Sequence, residues 1–356
     1  MKTQIVLYHS VFFAERYGCM NDYSGLKTIY EKLQDEKSKN LFLTKLRMYV
    51  TQDNRCLFAG NDDKMTELLF DNADTPIIIY GLGSLADHVF NILTKSIIVN
   101  CFCDEQSDKH DFHNGLPVIS VDELISKHKN SIVLILSDNR QMQLIRRLMK
   151  HGFKKEQIVT LKLPGIEYFD LPCFIPGENE IFVDAGGYNG DTVVKFLTWC
   201  NNRYKKIYTI EPDLENCKKL RATITNEKID NICVYEQGVW NKKDYLFFDN
   251  YGSNGSHITP EGKTKIMVDT IDNIVGDGPV TFIKLDIEGA ELEALEGAKK
   301  TIERNRPRMA VCIYHKPEDF IEIPLFIINN FPNYKLYIRK YGYAWTCSET
   351  ILYAIT

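Results

Sequence analysis

Asp184, Glu211, Asp286 and His315 each close a short apolar run in the second half of the chain. Asp184 follows Ile181-Phe182-Val183 and leads into Gly186, Gly187 and Gly190, with Asp191 just beyond. Glu211 ends "KIYTIE" 21 residues past Gly190, and Pro212 stops that run and opens the next helix. A turn cleared of side chains either serves a tight strand-to-helix connection or lets a ligand lie against the backbone. A phosphate favours an uncharged turn backed by helix amides. Here acids stand at both edges, an arrangement that suits a cationic ligand. A carboxylate at the Glu211 position can accept both hydroxyl protons of a ribose.

S-adenosylmethionine (SAM) meets these demands together, since it joins a ribose to a sulfonium and an α-ammonium. Its small carboxylate can still use the helix amides. The turn and helix start (Gly186, Gly187, Tyr188, Asn189, Gly190 and Thr192) are then expected to hold it with Asp184, Glu211, Pro212 and Asp286. Gln237, Gly238 and Val239, at the tail of a third strand, are placed to flank adenine or else form a loop turn.

The remaining acids suit the chemistry such a donor performs. Transfer of a methyl group to a hydroxyl is an in-line displacement that needs alignment and removal of one proton. Asp286, Glu288 and His315 lie at strand ends on one side of the expected crevice. An imidazole titrating near neutrality makes His315 the natural base, with Asp286 or Glu288 orienting it or holding the acceptor. The structural alternatives are a helix cap for Glu288 beside Gly289, and a backbone-bonded strand end for His315. A divalent ion on Asp286, Glu288 and His315 is a further alternative. The metal-free site is preferred because no additional acid is placed there by the sequence. Ser253, Asn254, Ser256 and His257 are either acceptor contacts or turn residues. Arg339 and Tyr341 are likewise sugar contacts or surface pairing.

The elements that position these groups follow from periodicity. Residues 1–75 show helical spacing in Leu26, Ile29, Tyr30 and Leu33, then Leu41, Phe42, Leu46 and Tyr49, with Ser24 as a cap. From Pro76, strands alternate with helices through residues 76–165, which predicts a smaller doubly wound parallel α/β domain. Its turn reads Gly81-x-Gly83-x-x-Ala86, with Asp104 placed for a ribose contact, but Asp87 stands where it would repel a pyrophosphate. The proline-rich stretch 166–179 reads as a linker whose aromatics pack on a surface. Residues 180–356 repeat the α/β alternation around a hairpin-like insertion. They end in "YKLYIRKY" and "ETILYAI", joined too closely for a crossover and therefore antiparallel. A parallel sheet closed by an antiparallel hairpin has the layout of the class I SAM-methyltransferase Rossmann-like fold.

These 356 residues carry a net charge of -5, which argues against a nucleic-acid partner. No apolar run reaches the length of a membrane span. Ten scattered cysteines read as buried thiols of a cytoplasmic protein. A homo-oligomer is left open.

"FVDAGGYNGDTVVKF", "IYTIEPD", "VDTIDNI" and "IKLDIEGAELEALEGA", in this order, resemble the FkbM family of SAM-dependent methyltransferases over about residues 180–356. "KLDIEGAE" is the most specific part. The resemblance implies the family fold, SAM as cofactor and O-methylation of sugar or polyketide hydroxyls. The upstream segments look like the extension in longer bacterial members linked to surface glycans, which makes a sugar or glycan the expected partner. Tyr188 stands where many members carry Asn, with Asn189 one place later. Two other readings compete. One is an NAD(P)- or nucleotide-sugar enzyme acting through Gly81–Asp104, and the other is a non-catalytic binding protein on the same fold.

Overall fold

The computed structural model describes residues 24–51, 75–94, 98–136, 141–160, 167–249, 257–258, 264–341 and 349–356. The chain forms two compact units. One combines Met1–Leu43, Gly165–Lys340 and Ser348–Thr356, and the other combines Thr44–Pro164 with Tyr341–Cys347.

The second of these units is built on β1 (Ile77–Tyr80), β2 (Val99–Cys103), β3 (Phe112–His113), β4 (Leu116–Ile119), β5 (Ile132–Ile135) and β6 (Ile158–Thr160). Their order is β3-β4-β2-β1-β5-β6, parallel throughout except for the β3–β4 pair. β1 reads Ile-Ile-Ile-Tyr because both of its faces are covered. Ile77 and Ile79 pack with Val89 and Leu93 on one side, while Ile78 and Tyr80 pack with Leu144 and Leu148 on the other. The unit is doubly wound, as its alternating pattern predicts.

The larger unit contains β7 (Glu180–Ala185), β8 (Tyr204–Ile210), β9 (Ile232–Tyr235), β10 (Gly238–Val239), β11 (Asp244–Asp249), β12 (His257–Ile258), β13 (Thr264–Asp269), β14 (Phe282–Leu285), β15 (Arg308–Cys312), β16 (Lys335–Lys340) and β17 (Thr350–Ile355). Seven of them form one sheet in the order β16-β17-β15-β14-β7-β8-β9. β9 through β15 pair in parallel, and β17 runs antiparallel to both β15 and β16. This is the class I layout with its closing hairpin. Strand order reverses at β7, which has β8 on one side and β14 on the other, so the crevice of an open α/β sheet lies at its carboxyl end. The insertion forms a separate sheet, β10-β13-β11-β12, with β11 and β13 antiparallel.

Aromatic packing fills one side of the main sheet. Phe182 stacks on Phe196 at 4.4 Å, and Phe169 lies 5.2 Å from Phe282. Phe169, Leu171 and Phe174 of the proline-rich connection are therefore part of this core.

The N-terminal helices Ser24–Lys32 and Glu36–Thr51 are present where periodicity places them. Ser24 lies within the first described helix rather than capping it from outside. Within the larger unit, Leu33 bridges Leu336 in parallel, the Gln34 amide donates to the Leu336 carbonyl at 3.0 Å, and Phe42 stacks on Phe320 at 5.3 Å. These contacts cover edge strand β16, which would otherwise present unpaired backbone groups.

Candidate active site

Asp184 is closed off from solvent. Its carboxylate is fully buried, with Lys284 Nζ 3.1 Å from Oδ1 and Thr209 Oγ1 3.4 Å from Oδ2. Asp184 and Lys284 are register partners on β7 and β14, which places them side by side inside the sheet. Lys284 also donates to the carbonyls of Ala185 and Gly186, at 3.2 and 2.6 Å. Burial works against its charge, but Asp184 and Asp286 outweigh that and hold the ammonium well above the ordinary lysine range. The other expected rim acid, Asp191, is exposed and pairs with Lys195 at 3.2 Å, one helical turn on. The expectation of a free acidic rim is thus corrected: both charges are balanced by lysines. Lys284 was the missed residue, and its signal was a lysine within the otherwise apolar run Phe-Ile-Lys-Leu.

The glycines are required by the fold itself. Gly186 has φ +86, and a Cβ there would run into the Asp286 carbonyl oxygen. A Cβ on Gly187 would strike Thr209 Oγ1. Gly190, in the left-handed region, caps the helix Asp191–Trp199 in which Thr192 is buried. Asn189 Oδ1 accepts from the Asp191 amide at 3.1 Å, and its carbonyl accepts from Thr223 Oγ1 at 2.7 Å. Glu211 joins this turn to the second strand. Its two carboxylate oxygens accept from the amides of Tyr188 and Asp213, both at 2.9 Å. Burial pushes the Glu211 carboxyl up, and those two amides act in the opposite direction. Each oxygen keeps further acceptor capacity, which is the donor-set chemistry a ribose diol needs. Pro212 follows directly and is half-buried. Gln237, Gly238 and Val239 are all buried, and the last two form β10 against β13 rather than an open loop.

Asp286, Glu288 and His315 do meet, joined by Glu291. His315 Nε2 stands 3.4 Å from Asp286 Oδ1 and 3.6 Å from Glu288 Oε2, while Nδ1 lies 2.8 Å from Glu291 Oε1. The Tyr168 hydroxyl donates to Asp286 Oδ2 at 2.8 Å. Glu288 has φ +56, and the helix Glu291–Glu296 starts after Ala290, so Glu288 is not its cap. Burial disfavours the imidazolium, yet Glu291, Asp286 and Glu288 together push His315 up to about 10. That corrects the expectation of a near-neutral base: among these carboxylates the imidazole is held cationic. Burial pushes Glu288 up to about 7, with His315 acting against it. For Asp286, burial is outweighed by Lys284, His315 and the Tyr168 hydrogen bond, and the carboxyl lies below its ordinary range.

Other expected contacts are placed elsewhere. Ser253, Asn254 and Ser256 lie outside the described residues, and His257 pairs with Asp249 in register. Arg339 forks onto Asp35, at 3.2 and 2.5 Å, and Tyr341 is buried. In the smaller unit, Asp87 is engaged by His113 Nε2 at 2.6 Å and Asn114 at 2.8 Å, and Asp104 accepts from the Gln106 amide at 2.8 Å. Among the described residues, seven cysteines are free thiols, and no helix is long and apolar enough to cross a membrane.

Comparison with known proteins agrees with this geometry. The profile of the Methyltransferase FkbM domain matches residues 184–344. The structure of methyltransferase FkbM from Methylobacillus flagellatus KT aligns over 90% of this chain and 99% of its own, at 19% identity and a TM-score of 0.50. SMU.1697c, a putative methyltransferase from Streptococcus mutans in complex with SAH, aligns over 51% of this chain and 90% of its own, at 14% identity and a TM-score of 0.34. The O-methyltransferase TomG from Streptomyces achromogenes, in complex with SAM, covers 50% of this chain and 74% of its own, at 9% identity and a TM-score of 0.32. No curated protein matches the chain. Residues 184–344, which lie in the class I sheet and include the glycine turn and Glu211, match the Methyltransferase FkbM domain, and this match supports a SAM-dependent methyltransferase.

Proposed function

We propose that the methyl group is delivered to a hydroxyl of a sugar, in a bacterial glycan or its nucleotide-linked precursor. The observation that carries this reading is the cluster of Asp286, Glu288 and His315 at the carboxyl ends of β14 and β15, beside the glycine turn. Carboxylates are acceptors only, and an imidazolium is a donor only, so together they can bind and orient a polyhydroxyl group from both directions. When bound, SAM would supply an electrophilic methyl on a sulfonium, with S-adenosylhomocysteine as the leaving group and the carboxylate of Asp286 or Glu288 as the acceptor for the hydroxyl proton. Glu211 and the turn 186–190 would fix the donor end. Alignment of this kind can supply up to ~7–11 kcal/mol of barrier reduction. The net charge of -5 supports a sugar rather than a nucleic-acid acceptor.

The test is direct. Isotope-labelled SAM is incubated with the purified chain and a panel of nucleotide sugars and glycan fragments, and products are read by mass spectrometry. Label on a sugar oxygen is the expected result; label confined to nitrogen, carbon or a non-sugar acceptor overturns the reading. The donor half is checked separately by calorimetry with S-adenosylhomocysteine. Binding should be lost in Glu211→Ala and is already absent from wild type if that half is wrong.

A further inference from the structure

Glu291 is fully buried, and one of its oxygens makes two contacts. Oε1 accepts from the Ile287 amide at 2.8 Å and meets His315 Nδ1 at 2.8 Å. The same atom therefore ties the loop after β14 to the ring beyond β15. Glu288 comes next after Ile287, with φ +56. A non-glycine residue in that region carries backbone strain, which persists only where its surroundings over-determine it.

The two acids of this loop are not equivalent. Asp286 Oδ2 accepts from the Tyr168 hydroxyl at 2.8 Å, and against its burial Lys284 and His315 stabilise its charge. Glu288 accepts no hydrogen bond among the described residues, and 34% of its side chain is exposed. With Nδ1 engaged by Glu291, the cationic ring presents Nε2–H on the other side. That nitrogen stands 3.4 Å from Asp286 Oδ1 and 3.6 Å from Glu288 Oε2. Both separations exceed the ~2.7–2.9 Å of a charge-assisted hydrogen bond. A donor and an acceptor left apart in this way suit a hydroxyl, which accepts and donates at one atom. Such contacts tighten once the substrate is bound.

We propose that Glu288 is the general base of the methyl transfer, that His315 Nε2–H holds the acceptor oxygen, and that Glu291 is the positioning residue for both. These roles rest on the sugar-hydroxyl reading above. The hydroxyl proton passes to Glu288 Oε2, the oxygen lone pair forms the O–CH3 bond, and the carbon–sulfur pair stays on sulfur in S-adenosylhomocysteine. Glu288 then gives the proton to water from its exposed side. A carboxyl pushed by burial to about 7 suits that exchange near neutral pH, whereas Asp286 lies too low. Of the charges facing Glu288, His315 and Lys284 favour the anion, while Asp286 and Glu291 oppose it. The buried Tyr314 phenol also faces Glu288. His315 faces Glu291, Asp286, Glu288, Asp319 and Glu349.

The first measurement needs no acceptor. Nitrogen-15 spectra of the full chain, with the ring assigned through His315→Gln, should show both His315 nitrogens protonated at about pH 8, where an ordinary imidazole is neutral. Glu291→Gln should leave the ring singly protonated. Carbon-13 spectra of the glutamate carboxyls, assigned through Glu288→Gln, should place the Glu288 midpoint at about 7. A neutral His315 in wild type, or a Glu288 midpoint at the ordinary value of 4.5, overturns the proposal whatever the acceptor.

The second uses the sugar acceptor that the isotope-labelled panel identifies. Wild-type kcat should fall on the acid side with a midpoint at about 7, because the base must be ionised. Glu288→Gln should lower kcat by ~10²–10⁴-fold and abolish that limb, with S-adenosylhomocysteine affinity retained. His315→Gln should raise KM and move the limb to higher pH, since a neighbouring cation is lost. Glu291→Gln should lower kcat together with loss of the ring proton. Glu288 is partly exposed, so its variant decides the matter if replacement of buried Glu291 prevents folding. An acid limb that survives in Glu288→Gln overturns the base assignment. Absence of label from every sugar oxygen, with both spectra as expected, marks failure of the acceptor reading and not of the Glu291–His315–Glu288 arrangement.

Discussion

Lys284 and Asp184 form a buried ion pair, 3.1 Å apart on adjacent parallel strands, with 1% and 0% of their side chains exposed. A charge in that position is tolerable only while its partner remains, because desolvation of a lone ion costs several kcal/mol. Lys284→Met is expected to lower stability by about 3–5 kcal/mol, measured by urea unfolding. Combining it with Asp184→Leu should recover most of the loss. A single variant as stable as wild type would show the pair to be unimportant.

Gly186 sits under the Asp286 carbonyl with a positive φ, so Gly186→Ala meets both backbone strain and a backbone collision. A loss of about 3 kcal/mol or more is expected, together with weakened S-adenosylhomocysteine binding. Gly25→Ala is the control. There the nearest atom is a flexible Leu325 methyl at 3.3 Å within a helix, and the change should stay within ~1 kcal/mol. Equal effects of the two replacements would contradict this account.

The N-terminal helices make stability depend on pH through Asp35. Burial would raise its carboxyl, but hydrogen bonds from Arg339 and Ser38 prevail and hold it below its ordinary value of 3.8. A depressed folded value means the contribution is complete above the unfolded value and is lost as pH falls through the folded one. Asp35→Asn should therefore lower Tm at pH 7, with the difference shrinking below about pH 4. A difference that grows on acidification would reverse the assignment.

Tyr168 donates to Asp286 Oδ2 from a buried position. Tyr168→Phe removes one hydrogen bond to a charged group and little volume, so a loss of about 1.5–3 kcal/mol is expected in denaturant unfolding. No measurable change would mean that Asp286 finds another donor.

Much of this architecture could be read from the chain alone. Period-two and period-3.6 patterns record which faces are covered, so β7, β8, β14 and β15 and their helices were legible in order. The antiparallel closing hairpin followed from the short connection between its strands. Motif spacing brought Gly186–Gly190, Glu211, Asp286 and His315 to one end of the sheet. Electrical state was not legible. Charge on a side chain depends on neighbours from other strands, and linear order does not say that Lys284 would lie against Asp184 or Glu291 against His315. Those two contacts turned an expected open acid into a buried pair and an expected neutral base into a cation. The covering of β16 by Leu33 is of the same kind, since about 300 residues separate the partners. Sequence by itself determined the elements, their order and the end of the sheet where chemistry gathers, because local periodicity and turn chemistry act within a few residues. Only the tertiary structure decided which acids remain free and which are balanced, because Coulomb interactions and desolvation are properties of packed neighbours in space.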